Sequence, residues 1–365
     1  MRVLLVSAPL LGHVFPMMPL ALALRAAKCD VLVATGGEAL RVRDTGIAVA
    51  DVAAKVRLRR YGLRLLLTHP LMAKTELAGG ADLRFVSRLF AAANRRMLGA
   101  VLELADHWKP DIVVHEPLAA AGAVVAAARG VPAIVHDTSL FDGTTLTAAT
   151  AEQMGHTLPP ATVALRTAPP SVVDTGPGWR LRPVPYSGAG PVPDWLRQEP
   201  VRPRVLVSRS TVAGPGGGKL MAAVVTAAEH VDAEFVLVRP PTSLTQRTLP
   251  TNVRLVGWVP IPDVLPTCAA LVHHGGAGTL LAALAAGVPQ LIEPGPGDRT
   301  QHAQLVAARG AGLACSAKEV TAEMLTSLVT SPELRSAASQ VRSEIAELPG
   351  PGVVAERITS SFVVA

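Results

Sequence analysis

Two stretches of this chain put reactive side chains where the backbone itself must come close to a ligand. The first is Leu271-Val272-His273-His274-Gly275-Gly276-Ala277-Gly278-Thr279. The apolar run from Ala269 to Val272 reads as a buried strand. The Ala/Leu-rich segment after Thr279 reads as a helix that stops at Gly287-Val288-Pro289. Strand, glycine loop and helix together outline a diphosphate site. Glycines let the backbone approach, and the helix start offers unpaired N–H groups at its positive end. Thr279 adds a hydroxyl and His274 a ring N–H. A tight turn carrying one core histidine is the plainer alternative; two adjacent histidines and a closing threonine weigh against it.

The second stretch is the loop Pro9-Leu10-Leu11-Gly12-His13-Val14-Phe15-Pro16, which follows the N-terminal apolar run Arg2–Ser7. Open parallel sheets bind ligands at the carboxyl ends of their strands, which is where His13 falls. A histidine there can serve as a general base, because imidazole titrates near working pH, or it can be a solvated loop side chain. A carboxylate behind the ring orients it and stabilises its charged form. Glu116, after Val113-Val114-His115, ends another predicted parallel strand in the same half. His115 and Glu116 are consecutive, so at most one of them faces the site squarely. Asp137, after Val135-His136, is a rival as a second base, an acceptor contact or a helix cap.

Strands alternating with helical patterns imply parallel sheets built from βαβ units. In the first half, Arg2–Ser7, Asp30–Thr35, Ile112–His115 and the run ending at Val135 read as strands. Met17–Ala27 and Leu118–Ala128 read as helices. Residues 168–203 are rich in Pro and Gly, as linkers are. A second series then opens with Arg204–Ser208, the loop Gly214-Pro215-Gly216-Gly217-Gly218 and a helix from Lys219 to His230. Strands at 235–238, 253–256 and 290–292 follow. The expected division is therefore 1–185 for a first domain, 186–203 for a linker and 204–348 for a second domain. The C-terminal segment 349–365 reads as a further helix. The first strand is not followed by Gly-x-Gly-x-x-Gly and an acidic residue, which argues against a nicotinamide enzyme.

The 365 residues suffice for two domains, and with 49% hydrophobic and 17% charged residues a large core is expected. Three cysteines, Cys29, Cys268 and Cys315, have no paired spacing, which fits a reducing compartment and neither a disulfide framework nor a zinc motif. Net charge is +6, and the basic cluster Lys55–Arg64 lacks the interleaved aromatics of single-strand binders; no nucleic-acid partner is expected. Pro9, His13, Pro16 and Pro19 interrupt the N-terminal apolar run, so it is not read as a signal peptide. Arg129 and Gly130-Val131-Pro132 break Leu118–Val135 below the roughly 18–20 residues needed to span a bilayer. The expectation is a soluble, cytoplasmic protein with no membrane insertion. Leu63–Leu71 is apolar enough for a hydrophobic ligand or for ordinary helix packing.

Val272-His-His-Gly-Gly-Ala-Gly-Thr279, with Ala-Ala-Gly287-Val-Pro-Gln290, resembles the donor-site signature of bacterial, actinobacterial-type natural-product glycosyltransferases. These enzymes decorate macrolides, enediynes and aromatic polyketides with deoxysugars. The resemblance runs from Met1 to about Ala365 and is loose over residues 50–110. It implies the GT-B fold: two Rossmann-like doubly wound α/β domains facing across a cleft, with the last helix packed on the first domain. It also implies an inverting, O-linked, metal-independent hexosyl transfer from a nucleotide diphosphate sugar to a small hydrophobic aglycone, in antibiotic biosynthesis. A dTDP-sugar donor is favoured over a UDP-sugar, and no cofactor is required.

Carried over residue by residue, the resemblance makes His13 the base and Glu116 its partner, one methylene longer than the aspartate common there. Trp258 would stack on the nucleotide base while the backbone of Val259 bonds its edge. Ser210, His274, Gly275, Gly276, Ala277, Gly278 and Thr279 would hold the diphosphate. Asp298 would meet the sugar hydroxyls, beside Arg299 where the family often has Gln and ahead of His302-Ala303 where it has Asn-Ala. Gly12, Phe15 and Asp137 are weaker acceptor candidates. A carbon-linking glycosyltransferase or a nucleotide-sugar epimerase on the same fold remains open, as do a non-catalytic helper and a homodimer.

Overall fold

The computed structural model describes residues 1–77, 79–80, 83–210 and 218–362, so of the glycine-rich loop 214–218 only Gly218 is among them. Two compact units divide the chain: Met1–Leu77, Asp82–Gly188 and Glu347–Ala365 form one, and Ala189–Ala346 builds the other. In each, runs of Val, Leu and Ile become strands buried on both faces, which parallel sheets covered by helices require.

The first unit runs β1 (Arg2–Val6), α1 (Leu11–Val14), α2 (Met18–Ala26), β2 (Asp30–Thr35), β3 (Ala48–Asp51), α3 (Leu58–Thr68), α4 (Pro70–Leu77) and α5 (Leu83–Trp108). It continues with β4 (Ile112–His115), α6 (Ala120–Arg129), β5 (Ala133–His136), α7 (Gly143–Met154), β6 (Val163–Arg166) and β7 (Trp179–Arg180). Every paired strand is parallel, in the order β3-β2-β1-β4-β5-β6-β7. The order reverses between β1 and β4, the switch point at which doubly wound sheets open for ligands. The predicted helix at 17–27 is present as α2, and the loop before it is itself helical. A short α1 holds Gly12 and His13, a 3-10 turn carries Pro16, and α2 begins at Met18. The apolar side chains Leu63, Leu67 and Leu71 are 60%, 75% and 82% exposed, so ordinary helix packing does not account for them.

The second unit runs α8 (Asp194–Arg197), β8 (Arg204–Ser208), α9 (Lys219–Ala228), β9 (Glu234–Val238), α10 (Thr242–Thr245), β10 (Val253–Val256), α11 (Ile261–Val264) and β11 (Ala270–His273). It ends with α12 (Ala277–Ala286), β12 (Gln290–Ile292), α13 (Arg299–Ala308), β13 (Gly312–Ala314), α14 (Ala322–Thr330) and α15 (Pro332–Glu347). The sheet order is β10-β9-β8-β11-β12-β13, again all parallel, with its reversal between β8 and β11. The last helix, α16 (Pro351–Ser361), belongs to the first unit. Its Val354, Ala355 and Ile358 join Leu20, Leu24 and Val31 in one buried cluster. Among the described residues no helix is long and apolar enough to cross a membrane.

The Pro-rich segment before β8 is pinned by one side chain. Arg204 is 2% exposed and reaches the carbonyls of Trp195, Leu196 and Gln198, the Thr267 hydroxyl at 2.7 Å and Glu234 Oε2 at 2.9 Å. Truncating a buried, multiply bonded cation strands all of these partners. Arg204→Ala is expected to lower the stability of the chain by about 3 kcal/mol in denaturant unfolding; a loss below about 1 kcal/mol would show that the segment is held elsewhere.

Candidate active site

At the switch point of the first sheet, β1 and β4 lead into the two side chains that pair. His13 Nδ1 lies 3.2 Å from Glu116 Oε2. The carboxylate is buried, and its two oxygens are also fixed by backbone: Ala8 N–H donates to Oε1 at 3.1 Å and Leu118 N–H to Oε2 at 2.8 Å. Burial alone would raise the Glu116 pKa. The charge of His13 and the hydrogen bonds from His13, Leu118 and Ala8 outweigh it and hold the carboxyl below its ordinary value. An ionised Glu116 accepts from Nδ1–H, so the other ring nitrogen, Nε2, is left with its lone pair. His13 keeps 21% of its side chain exposed, and the Phe90 ring packs beside it with centroids 5.1 Å apart. A partly exposed imidazole backed by a buried, fully bonded carboxylate can take a proton from a substrate hydroxyl.

In the second unit the loop between β11 and α12 is built around its two histidines, which differ sharply in role. His273 is buried: its Nε2 lies 2.8 Å from Gln290 Oε1, and its Nδ1 accepts from Gly275 N–H at 3.1 Å. Burial lowers its pKa to about 4, which keeps one ring nitrogen an acceptor, as this pattern needs. His274 is half-buried, and its pKa falls to about 3 by burial, with His273, Arg299 and Arg239 adding to the effect. At neutral pH it is therefore an N–H donor rather than a cation. Its ring lies over Gly276, where a Cβ would sit 2.7 Å from Nε2 and would push the ring aside. Gly275 has φ +80° and a Cβ would meet Ile292 at 3.1 Å. Gly276 is the N-cap of α12 and no side chain caps the helix, so its first-turn N–H groups have no capping acceptor; Gly278 there is exposed and Thr279 partly so.

Around this loop the neighbouring strand ends supply the remaining candidates. Ser210 follows β8, and Trp258 with the buried Val259 follows β10. Trp258 and Val259 also line an open groove of about 900 Å³ with Pro193 and Trp195; residues 274–279 do not reach it.

Residues 22–210 match the family model described as Erythromycin biosynthesis protein CIII-like, N-terminal domain, and residues 222–360 match the corresponding C-terminal domain. The chain belongs to the erythromycin biosynthesis protein CIII-like glycosyltransferases. It is similar to an elloramycin glycosyltransferase of Streptomyces olivaceus, 39% identical over 99% of this chain and 98% of that one. It also matches the crystal structure of the glycosyltransferase SnogD from Streptomyces nogalater. That match has a TM-score of 0.86 at 33% identity and covers 99% of this chain and 100% of that chain. A glycosyltransferase of Streptomyces sp. SF2575, SsfS6, solved in complex with thymidine diphosphate, matches at a TM-score of 0.82 and 26% identity over 99% of each chain. The GT-B fold and a place in antibiotic natural-product biosynthesis follow from these matches.

Within this glycosyltransferase, some predicted site residues are engaged in ways their positions in sequence do not reveal. Asp137 is fully buried. Arg166 Nη1 lies 3.2 Å from its Oδ2, and Gly143 N–H, at the start of α7, donates to its Oδ1. Burial pushes its pKa up to about 7 against the pull of Arg166, which also bonds Asp142 at 2.6 Å. Phe15 packs edge-on against Tyr186 with centroids 5.2 Å apart, and Gly12 is exposed with open space above it. Arg299 turns inward: its Nε donates to the His274 carbonyl, and its Nη2 lies 3.4 Å from Glu293. Asp298 keeps 39% of its side chain exposed, 3.5 Å from the buried His302.

Asn94 has no counterpart among the predicted residues. From the middle of α5 it donates to the carbonyls of Phe90 and Leu118, and its Oδ1 accepts from Ala121 N–H. It thereby fixes the backbone whose N–H holds Glu116. A lone buried Asn in a 26-residue amphipathic helix was the available signal.

The buried histidines set the sign of the acid response. His136 and His273 are each lowered to about 4, His274 to about 3, and His115 is lowered as well, all chiefly by burial. Between about pH 4 and 6.5 the unfolded chain protonates these rings and the folded chain does not, so stability falls as pH falls through that window. Asp137 acts in the opposite sense, holding a proton when folded from about pH 7 down to its ordinary range, as does the raised carboxyl of Glu293, whereas the lowered carboxyls Glu116 and Asp142 act with the four histidines. The unfolding temperature is therefore expected to drop steadily from pH 6.5 to 4.5, and a flat profile would contradict neutral burial of the strand-end histidines.

Proposed function

We propose that this chain is an inverting, O-linked, metal-independent glycosyltransferase. Its donor would be a dTDP-linked sugar of the deoxysugar class, and its acceptor a hydroxyl of a small hydrophobic natural product. The observation that carries this reading is the His13–Glu116 pair at the sheet's switch point, 3.2 Å apart with the carboxylate buried and ionised. In the proposed step Glu116 holds Nδ1–H and Nε2 of His13 takes the acceptor proton. The freed oxygen attacks the anomeric carbon as the nucleotide diphosphate leaves from the opposite side. One displacement with no enzyme nucleophile inverts the centre.

The departing diphosphate gathers charge, and the first turn of α12 supplies what that charge needs: uncapped backbone N–H groups, the neutral ring N–H of His274 and the Thr279 hydroxyl. We assign Trp258 to the nucleotide base and Asp298 to the sugar. Residues 1–185 are assigned to acceptor binding and 204–348 to the donor, linked by 186–203. Support for thymidine comes from SsfS6, a relative solved with thymidine diphosphate.

The test is transfer and binding measured on the same variants. His13→Ala is expected to cut kcat about 100-fold or more, and Glu116→Gln about tenfold, with thymidine diphosphate affinity unchanged in both. Chelator should leave the wild-type rate intact, and uridine diphosphate should bind more weakly than thymidine diphosphate. Full transfer by His13→Ala would refute the base assignment, and loss of rate in chelator would refute metal independence.

A further inference from the structure

β9 lies between β8 and β10, so the residue after it is flanked by the loops assigned to the donor's diphosphate and base. That residue is Arg239. Its backbone is left-handed, with φ 52°, a conformation shared among the described non-glycine residues only with Lys28 and Lys109. Those two follow the ends of α2 and α5, where left-handed residues routinely close helices. Arg239 follows a strand, where no such cap is called for. Its N–H donates to the Val256 carbonyl at 2.9 Å, which fixes the turn. A glycine would hold that turn without steric cost, whereas arginine carries a Cβ in a region that disfavours it.

From this backbone the side chain spans both loops. Its guanidinium carbon sits 5.1 Å from the centroid of the Trp258 ring. Its Nη2 donates to the carbonyls of Arg209 and Ser210 at 3.3 and 3.2 Å. A cation on one face of an indole helps fix the plane of the ring. The same cation brings positive charge to the backbone beside Ser210. A disfavoured backbone kept at a strand end, bearing a side chain that ties two ligand loops together, marks a functional position.

We propose that Arg239 is a positioning residue for a nucleoside diphosphate. It holds Trp258 and the Ser210 loop at one separation, so that the base and diphosphate subsites are set together, and the fold tolerates a strained residue to keep it. This inference rests on the donor reading above.

The experiment measures thymidine diphosphate affinity by calorimetry and unfolding temperature by scanning calorimetry on the full chain. The proteins are wild type, Arg239→Gly, Arg239→Lys, Trp258→Ala and the Arg239→Gly/Trp258→Ala double variant. Arg239→Gly should unfold at the wild-type temperature or above it while binding about tenfold more weakly. Arg239→Lys, which keeps the charge but not the planar fork, should fall between the two in affinity. The double variant should lose less than the product of the two single losses, since both act through one contact. Wild-type affinity in Arg239→Gly, a fall in its unfolding temperature or failure to fold, or losses that simply multiply, would each overturn the inference while leaving the donor site in place. Failure of the wild type to bind thymidine diphosphate, or unchanged binding by Trp258→Ala, would instead remove the donor reading and the inference with it.

Discussion

The turn from β11 into α12 hangs on the neutral imidazole of His273, which must donate with one nitrogen and accept with the other. Gln290 receives its Nε2–H, and Nδ1 takes the N–H of Gly275. Protonated, the ring would point a second donor at Gly275 N–H, and the turn would lose its anchor. Burial prevents this by holding the pKa at about 4. His302 and Arg299 complete the support, His302 through Nδ1 to the Gly275 carbonyl at 2.8 Å and Arg299 to the His274 carbonyl. The backbone of the loop is thus satisfied from beneath, while the first-turn N–H groups of α12 have no capping side chain. Preorganised donors of this kind lose little when a charge develops in front of them, because nothing has to reorient.

The first sheet uses a related device. His115 and His136, the last residues of β4 and β5, are buried and face the carbonyls of Glu116 and Asp137 through Nδ1 at 3.2 and 2.7 Å. In all three cases a buried, neutral strand-end histidine steadies the backbone, and the next residue carries the charge or the donor. For Glu116 that next residue joins the reactive pair. For Asp137 it joins a buried cluster with Arg166 and Asp142 that anchors α7. The difference between them lies in their partners. Glu116 meets a histidine on the short helix α1 that keeps 21% of its side chain exposed, whereas Asp137 meets a guanidinium that is 2% exposed.

Much of this was readable from residue order. Apolar runs of four or five residues gave the central strands, and the strand-end rule alone points to His13, Glu116 and the glycine loop. What sequence order could not supply were contacts between residues far apart in the chain. Arg166 stands 29 residues from Asp137, Asn94 stands 24 from Leu118, and Arg239 reaches Ser210 from 29 residues away. Arg299, a donor-site candidate because it follows Asp298, bonds the His274 carbonyl, a contact its place in sequence does not reveal. The strands β3, β6 and β7 were missed because they are short and lie toward the sheet's edges, where burial on both faces no longer writes a long apolar run.

The central claim is that the turn held by His273 is where the donor's diphosphate rests. The most direct measurement is a crystal structure of the chain with thymidine diphosphate bound. The account predicts phosphate oxygens within hydrogen-bond distance of the backbone N–H groups in the first turn of α12, of the His274 ring and of the Thr279 hydroxyl, with the thymine against Trp258. Diphosphate density elsewhere, with the loop between β11 and α12 untouched, would contradict it and leave that loop a structural turn.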